Sequence, residues 1–261
     1  MSPTQVAGSR TATADAAGSV RVPAWTRPIP KQLFIHRLFS EIAPRYDWFN
    51  RLASFGLDQR WRERAVELSG LATGMRALDV CTGTGDLALL CARSAGADGL
   101  DVGIDFTAPM LERAQAKQRR QAASVGWSRA DAQRLPFAEG RFDRVVIGFS
   151  TRNLADLADG LREMLRVVKP GGALVVLETG RPPAWWLRIG YWVFLHTIAP
   201  AIGWLLTGQC WPFTYLARST KGFLPPTEFV RLLNACGAQA SYLPLSGGLA
   251  SLYIARKSVP G

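Results

Sequence analysis

The sequence predicts a doubly wound α/β fold, a mostly parallel seven-stranded sheet with helices on both faces, an antiparallel C-terminal hairpin and a helical lid. Three observations predict it. Short apolar runs alternate with helical stretches five times between Ala77 and Glu178. The first run ends in a glycine turn that opens a helix. Two more apolar runs near the end are joined by Gly247-Gly248, which reads as a hairpin.

The glycine turn organises the rest. Ala77 to Cys81 reads as a buried strand, Thr82-Gly83-Thr84-Gly85 as a tight turn, and Asp86 as the start of a helix. Without side chains, Gly83 and Gly85 let a ligand approach the backbone. The helix start directs free N–H groups at that ligand, and Asp79 ends the strand where a carboxylate can face it. Gly83-x-Gly85-x-x-Ala88, with Asp105 about 20 residues on, also satisfies a dinucleotide fingerprint. On these residues alone a nicotinamide dinucleotide, S-adenosylmethionine and no ligand at all stay open.

Composition narrows the classes. The chain has 261 residues, 48% of them hydrophobic, enough to build a core for one large α/β domain or for two small ones. A formal net charge of +11 favours acidic surfaces such as anionic lipid. No zinc-finger pattern or arginine-rich tract interleaved with aromatics is present, so no nucleic-acid partner is expected. Cys81, Cys91, Cys210 and Cys236 lie far apart and read as reduced cytosolic residues. His36 and His196 are the only histidines, too few for a histidine-based metal site or a Ser-His-Asp triad.

In chain order, residues 1–30 are rich in Ser, Thr, Ala, Gly and Pro and read as a disordered tail; their arginines with one acid, Asp15, faintly resemble a transit peptide. Lys31 to Ala43 reads as a helix with Leu33, Phe34, Leu38, Phe39 and Ile42 on one face, interrupted by Pro44. It begins a helical cap over 31–70, in which aromatics mix with Asp, Asn and Arg from Arg45 to Asn50 and from Leu57 to Arg62. After the glycine turn a helix runs to Arg93, a strand from Gly99 to Asp105, and a helix from Thr107, its N-cap, to Ala123. Strands follow over Val125 to Arg129 and Phe142 to Ile147. A helix with Leu154, Leu157, Leu161, Leu165 and Val168 on one face stops at Lys169-Pro170-Gly171-Gly172, before a strand over Ala173 to Glu178. Residues 184–220 form an apolar helical insert. Ile189 to Leu206 carries no formal charge over 18 residues, but Pro200 and its glycines favour one or two helices of a lid or interfacial surface over a membrane span. Pro226 to Cys236 reads as a helix, and Gln239 to Leu245 with Ala250 to Arg256 as the hairpin.

Taken together, Asp79-x-x-x-Gly83-x-Gly85, Asp105, Asp131-Ala132 before Leu135-Pro136-Phe137, and Arg166-Val167-Val168-Lys169-Pro170-Gly171-Gly172 resemble the Rossmann-like class I S-adenosylmethionine methyltransferases. Ile42-Ala43-Pro44-Arg45-Tyr46-Asp47 with Asn50, then Arg152-Asn153 and Tyr215-Leu216-x-x-Ser219, resemble the ubiquinone/menaquinone biosynthesis C-methyltransferases of the UbiE/MenG type. Asp58, Gly148, Glu178-Thr179-Gly180 and Ser251-Leu252-Tyr253 depart from patterns seen in that family.

The resemblance implies S-adenosyl-L-methionine as cofactor. It assigns its amino-acid end to Gly83, Thr84, Gly85 and Asp79, its ribose to Asp105, its adenine edge to Asp131 and Ala132, and a further contact to Gly148. The acceptor it implies is a reduced prenylated benzoquinol or naphthoquinol. Arg152 is then the group that stabilises the developing phenolate or orients a water, with Tyr46 and Asn153 positioning the ring; a salt bridge to a nearby acid is the alternative role for Arg152. The expected place is the cytoplasm, peripheral on an anionic membrane surface, with a homodimer open as an assembly. The rival functions are a methyltransferase for another hydrophobic small molecule and a non-catalytic lipid-binding protein on the same fold.

Overall fold

The computed structural model describes residues 30–121 and 123–259. The expectation of a disordered tail lies, apart from Pro30, outside the described residues. The seven-stranded sheet has the order β3-β2-β1-β4-β5-β7-β6. Its strands are β1 (Arg76–Val80), β2 (Leu100–Asp105), β3 (Gly126–Arg129), β4 (Phe142–Gly148), β5 (Val168–Thr179), β6 (Ala238–Leu245) and β7 (Ala250–Lys257). β1 to β5 pair in parallel, whereas β7 runs antiparallel to both β5 and β6. Strand order reverses between β1 and β4, so their carboxyl ends diverge there into a crevice.

Period-2 alternation feeds two cores. Leu78, Val80, Val145 and Ile147 face Leu161 and Met164 of α6 (Leu157–Val167) and Phe229 of α10 (Pro226–Ala235). Ala77, Val146, Val175 and Leu177 face Ala65 and Val66 of α3 (Leu57–Ser69) and Leu87 and Cys91 of α4 (Asp86–Ala95).

The alternation of strand and helix fails once. No helix joins β3 to β4. Instead the Asp131 carboxylate accepts the Gln133 N–H, at 2.9 Å. The loop is then pinned to α6, where Glu163 accepts the Leu135 N–H and Arg166 donates to the Phe137 carbonyl. β1 stops at Val80 rather than Cys81, because Cys81 takes φ +55°. Helix α5 (Ala108–Gln118) ends short of Ala123. Thr107 precedes it without a side-chain capping bond, and its N–H donates to Asp105 instead. The Lys169-Pro170-Gly171-Gly172 stretch is part of β5, entering through an irregular register beside Phe142 and Arg144.

The cap consists of α1 (Lys31–Ile42), a short 3-10 turn (Ala43–Arg45), α2 (Tyr46–Ala53) and α3. The insert is helical from Trp185 to Thr207: α7 (Trp185–Val193), a π-helical segment (Phe194–Ile198) and α8 (Ala199–Thr207). Pro200 has no N–H to give the turn before it, and the wide π segment placed there lets the helix continue. Its 23 residues, about 35 Å at 1.5 Å each, are long and apolar enough to cross a membrane by length and composition. One face packs on the cap: Ala199 joins Phe34, Leu38 and Phe49 of the cap and Phe213 of α9 (Trp211–Gly222) in one apolar cluster. A Cβ on Gly203 would lie 1.9 Å from Phe213, so α8 and α9 approach this closely only through glycine. The opposite face leaves Trp185, Trp186, Ile189, Trp192, Trp204 and Leu205 exposed.

Candidate active site

Two cavities meet above the carboxyl ends of β1 and β4. The smaller, about 100 Å³, is lined by the glycine turn, by Asp79 and Asp105, and by Gly148, with Ile35, Phe39 and Tyr46 of the cap above it. The larger, about 340 Å³, is walled by apolar and aromatic side chains including Leu38, Phe49, Trp61, Phe149, Phe194 and Phe213. Arg152, Asn50 and Tyr215 bring polar atoms into that apolar wall. Phe39, Tyr46, Arg62 and Asn153 line both cavities and form the seam between them.

The smaller cavity takes its character from the strand ends. Positive φ at Cys81 and Gly83 folds the chain back over β1. Asp105, at the end of β2, accepts the Gly83 N–H on one carboxylate oxygen and the Thr107 N–H on the other, both at 2.8 Å. Each oxygen retains acceptor capacity for a further donor. Asp79 is 2% exposed. Its Oδ2 accepts the Thr82 hydroxyl at 2.6 Å, and its buried Oδ1 has no partner. Burial pushes its carboxyl up to about 7, against the pull of the Thr82 hydroxyl. Burial likewise raises Asp105.

The two turn glycines differ in role. A Cβ on Gly83 would meet nothing nearer than Tyr46 Cε1 at 4.0 Å, so its open side faces the cavity. A Cβ on Gly85 would strike Trp127 at 2.7 Å and Ala114 at 2.9 Å, and Gly85 does not line the cavity. Packing and a φ of +84° require glycine there, not the direct ligand contact expected of it. Thr84 does line it, and its hydroxyl donates to Asp47 of α2. Lys117 joins Thr84, Asp47 and Asp86 in one network that ties the cap to the turn.

Asp131 and Ala132 stand apart from both cavities. Asp131 caps its own turn and accepts a 3.4 Å bond from Gln32 of α1, and Ala132 is buried in the core. Gly148 lines the smaller cavity, as expected.

Arg152 sits in the 3-10 turn Thr151–Asn153 after β4. Its Nη1 donates to Glu178 Oε1 at 2.5 Å and to the Phe149 carbonyl at 2.6 Å. Glu178 is fully buried and also accepts the Thr151 hydroxyl at 2.7 Å. Burial alone would lower the arginine's pKa, but the Glu178 carboxylate outweighs it and holds the guanidinium charged. Its Nε is buried without a partner. Arg152 is thus both salt-bridged and part of the wall of the larger cavity. Asn153 is held by the Tyr215 hydroxyl at 3.1 Å, and burial raises Tyr46. Glu178 and Arg62 are functional candidates that the motifs did not single out. For Arg62 the spacing to Asp58 carries a signal, since residues four apart share a helix face.

A strand-order reversal, a glycine turn after the first strand and an acid after the second make a nucleotide-type cofactor site, and the antiparallel β7 inserted between β5 and β6 gives the sheet the order of the class I S-adenosylmethionine-dependent methyltransferases. Solved structures agree on the fold: an S-adenosylmethionine-dependent methyltransferase from Thermotoga maritima matches with a TM-score of 0.60 at 16% identity, over 86% of this chain and 100% of that one. One from Aquifex aeolicus matches with a TM-score of 0.54 at 18% identity, over 75% of this chain and 88% of that one. Residues 29–257 match the ubiE/COQ5 methyltransferase family. The chain is 43% identical to a demethylmenaquinone methyltransferase of Thermus thermophilus, over 83% of its own length and 98% of the relative's. It is 38% identical to a ubiquinone/menaquinone biosynthesis C-methyltransferase of Geotalea uraniireducens, over 85% of its length and 96% of the relative's. The chain belongs to the ubiE/COQ5 methyltransferase family, and S-adenosylmethionine is its methyl donor.

Proposed function

We propose that this enzyme methylates a ring carbon of a demethylated, prenylated quinol, with a naphthoquinol as the first substrate to test. The observation that carries the reading is the larger cavity: apolar and aromatic, about 340 Å³ in volume, and sharing a seam with the smaller one. The name of the Thermus thermophilus relative favours the naphthoquinol.

When bound, the cofactor supplies an electrophilic methyl on a sulfonium. Asp79 would hold its ammonium and Asp105 its ribose hydroxyls, with Gly83, Thr84 and Gly148 around it; Asp131 and Ala132, outside the cavity as it stands, would meet the adenine edge once Gln32 leaves Asp131. Tyr46 and Asn153, at the seam, position the quinol ring. The Arg152 guanidinium, held by Glu178, faces the ring hydroxyl. Always protonated, it stabilises the negative charge left when that hydroxyl loses its proton to water, rather than acting as the base. With the cofactor bound, the electron-rich ring carbon would receive the methyl as the methyl–sulfur bond breaks, and the ring would regain aromaticity as its carbon-bound proton passes to water and its oxygen takes a proton back from water. Alignment and exclusion of water are the chain's chief contributions.

The exposed tryptophan face from Trp185 to Trp204, with the net charge of +11, supports a peripheral place on anionic lipid, where the prenyl tail resides. The test is direct. Purified enzyme, S-adenosylmethionine and chemically reduced demethylmenaquinone should give menaquinone heavier by one methylene in mass spectrometry. A demethylated benzoquinol and a non-prenylated phenol serve as comparisons. Turnover of the phenol alone would replace the quinol reading with a different small-molecule acceptor. Absence of turnover on all three, with vesicle binding retained, would favour a non-catalytic lipid-binding role.

A further inference from the structure

The amino-acid end of S-adenosylmethionine carries a carboxylate as well as an ammonium, and the glycine turn does not readily receive it. Two N–H groups that could have done so are engaged: Gly83 donates to Asp105, and Gly85 to the Thr82 carbonyl at 2.9 Å. Three carboxylates, Asp79, Asp86 and Asp105, line the cofactor cavity. They suit the ammonium and sulfonium charges but repel a carboxylate. Among the described residues that line it, Arg62 is the one cation.

We propose that Arg62 of α3 binds the carboxylate of the cofactor's amino-acid end and, with Asp79, forms a receptor for both charges of that end. Arg62 is 7% exposed and lines both cavities. Its two hydrogen bonds to the protein both leave from Nη1, to the Asp58 carboxylate at 2.5 Å and the Asp58 carbonyl at 3.0 Å. That arrangement spends one corner of the guanidinium fork on Asp58 and leaves the rest for a planar carboxylate. The stem is fixed as well: the guanidinium carbon lies 5.4 Å from the Phe149 ring centroid, where a cation is favoured. Asp58 is itself held by the Ser54 hydroxyl at 2.9 Å and by Gln59, which bridges to Asp86. Asp58 is therefore a positioning residue, and a carboxylate there fits the arginine it must orient.

The inference rests on the cofactor assignment and is tested without quinol or turnover. Calorimetry compares ligand-free wild type and Arg62→Met for two ligands, S-adenosylhomocysteine and its decarboxylated counterpart, which differ by the carboxylate alone. Wild type should prefer the carboxylate-bearing ligand by about tenfold or more, in line with a charge-assisted pair. Arg62→Met should lose that preference while binding the decarboxylated ligand about as well as wild type does. Equal weakening of both ligands, or an unchanged preference, would show that Arg62 acts elsewhere and overturn the proposal. Circular dichroism checks that the variant folds. If it does not, Arg62→Lys carries the test: the preference must fall at least about threefold, because an ammonium cannot reproduce the fork, and an undiminished preference overturns the proposal. Failure of wild type to bind S-adenosylhomocysteine at all would instead count against the cofactor assignment.

Discussion

Replacing Glu178 with glutamine should both destabilise the enzyme and slow it. Glu178 is fully buried at the end of β5 and receives the Arg152 guanidinium, the Thr151 hydroxyl at 2.7 Å and the Thr179 N–H at 2.8 Å. Glutamine keeps the shape and one acceptor oxygen but removes the charge, so Arg152 stays buried without its counterion. Breaking a buried pair by removing one partner costs about 3–5 kcal/mol. For a domain of this size, about 2–4 °C per kcal/mol, the melting temperature should fall by roughly 6–20 °C.

The freed guanidinium has the larger cavity to move into, so turnover should fall more than cofactor affinity, since Glu178 does not line the cofactor cavity. Thermal unfolding followed by circular dichroism measures the first effect. Single-turnover methylation beside calorimetry with S-adenosylhomocysteine measures the second. The double variant Glu178→Leu with Arg152→Met should recover most of the lost stability and none of the activity, because an apolar pair has no charge to leave uncompensated. Wild-type stability and turnover in Glu178→Gln would refute the role given to the pair.

Asp105→Ala should weaken S-adenosylhomocysteine binding at least about tenfold in calorimetry, since the carboxylate proposed to hold the ribose hydroxyls is gone. Asp101 is 4% exposed, its Oδ1 lacks a partner, and burial lifts its carboxyl to about 7. The folded chain therefore holds a proton there that the unfolded chain releases near pH 4, and stability falls as pH rises from about 4 through 7. Asp101→Asn should flatten part of that fall in urea titrations at pH 5 and pH 8, and an unchanged difference between the two would exclude Asp101 as its source. Replacing Trp185 and Trp186, 68% and 63% exposed, with Ser should reduce co-sedimentation with anionic vesicles and leave S-adenosylhomocysteine affinity unchanged.

The cofactor half of the site was legible because its residues sit close together in the chain. A strand, a turn and a helix start lie within residues 76–95, and the acid at Asp105 follows one crossover later. Gly83 and Gly85 read alike in sequence, yet one opens on the cavity and the other makes room for Trp127, a distinction that depends on a strand and helix distant in the chain. The acceptor half was legible only as a collection of aromatics. Its cavity is assembled from α1, α2, α3, the ends of β4 and β5 and the insert, elements up to about two hundred residues apart. Arg152 was visible and a salt bridge to an acid was among its expected roles, but nothing in the sequence joined it to Glu178 until parallel pairing set Gly148 beside Leu177. Pro200 argued for a break, but the wider π turn just before it takes up the missing N–H and the helix continues.

The seam between the cavities divides the labour of the fold. Phe39 comes from α1, Tyr46 from α2 and Arg62 from α3, whereas Asn153 alone comes from the turn after a sheet strand. Transfer of a methyl group in line needs the reacting atoms about 3–3.5 Å apart, so whatever sets the seam sets the rate. The sheet, through Cys81 and Phe149 at positive φ on the adjacent ends of β1 and β4, shapes the backbone that each cavity is built on. The cap supplies three of the four side chains that line both cavities. It is anchored on the sheet side by the Lys117 network and on the other by the cluster around Phe49, Ala199 and Phe213. The insert, packed on Phe49 of α2 through Ala199, is therefore linked to the seam residue Tyr46 at the start of that helix.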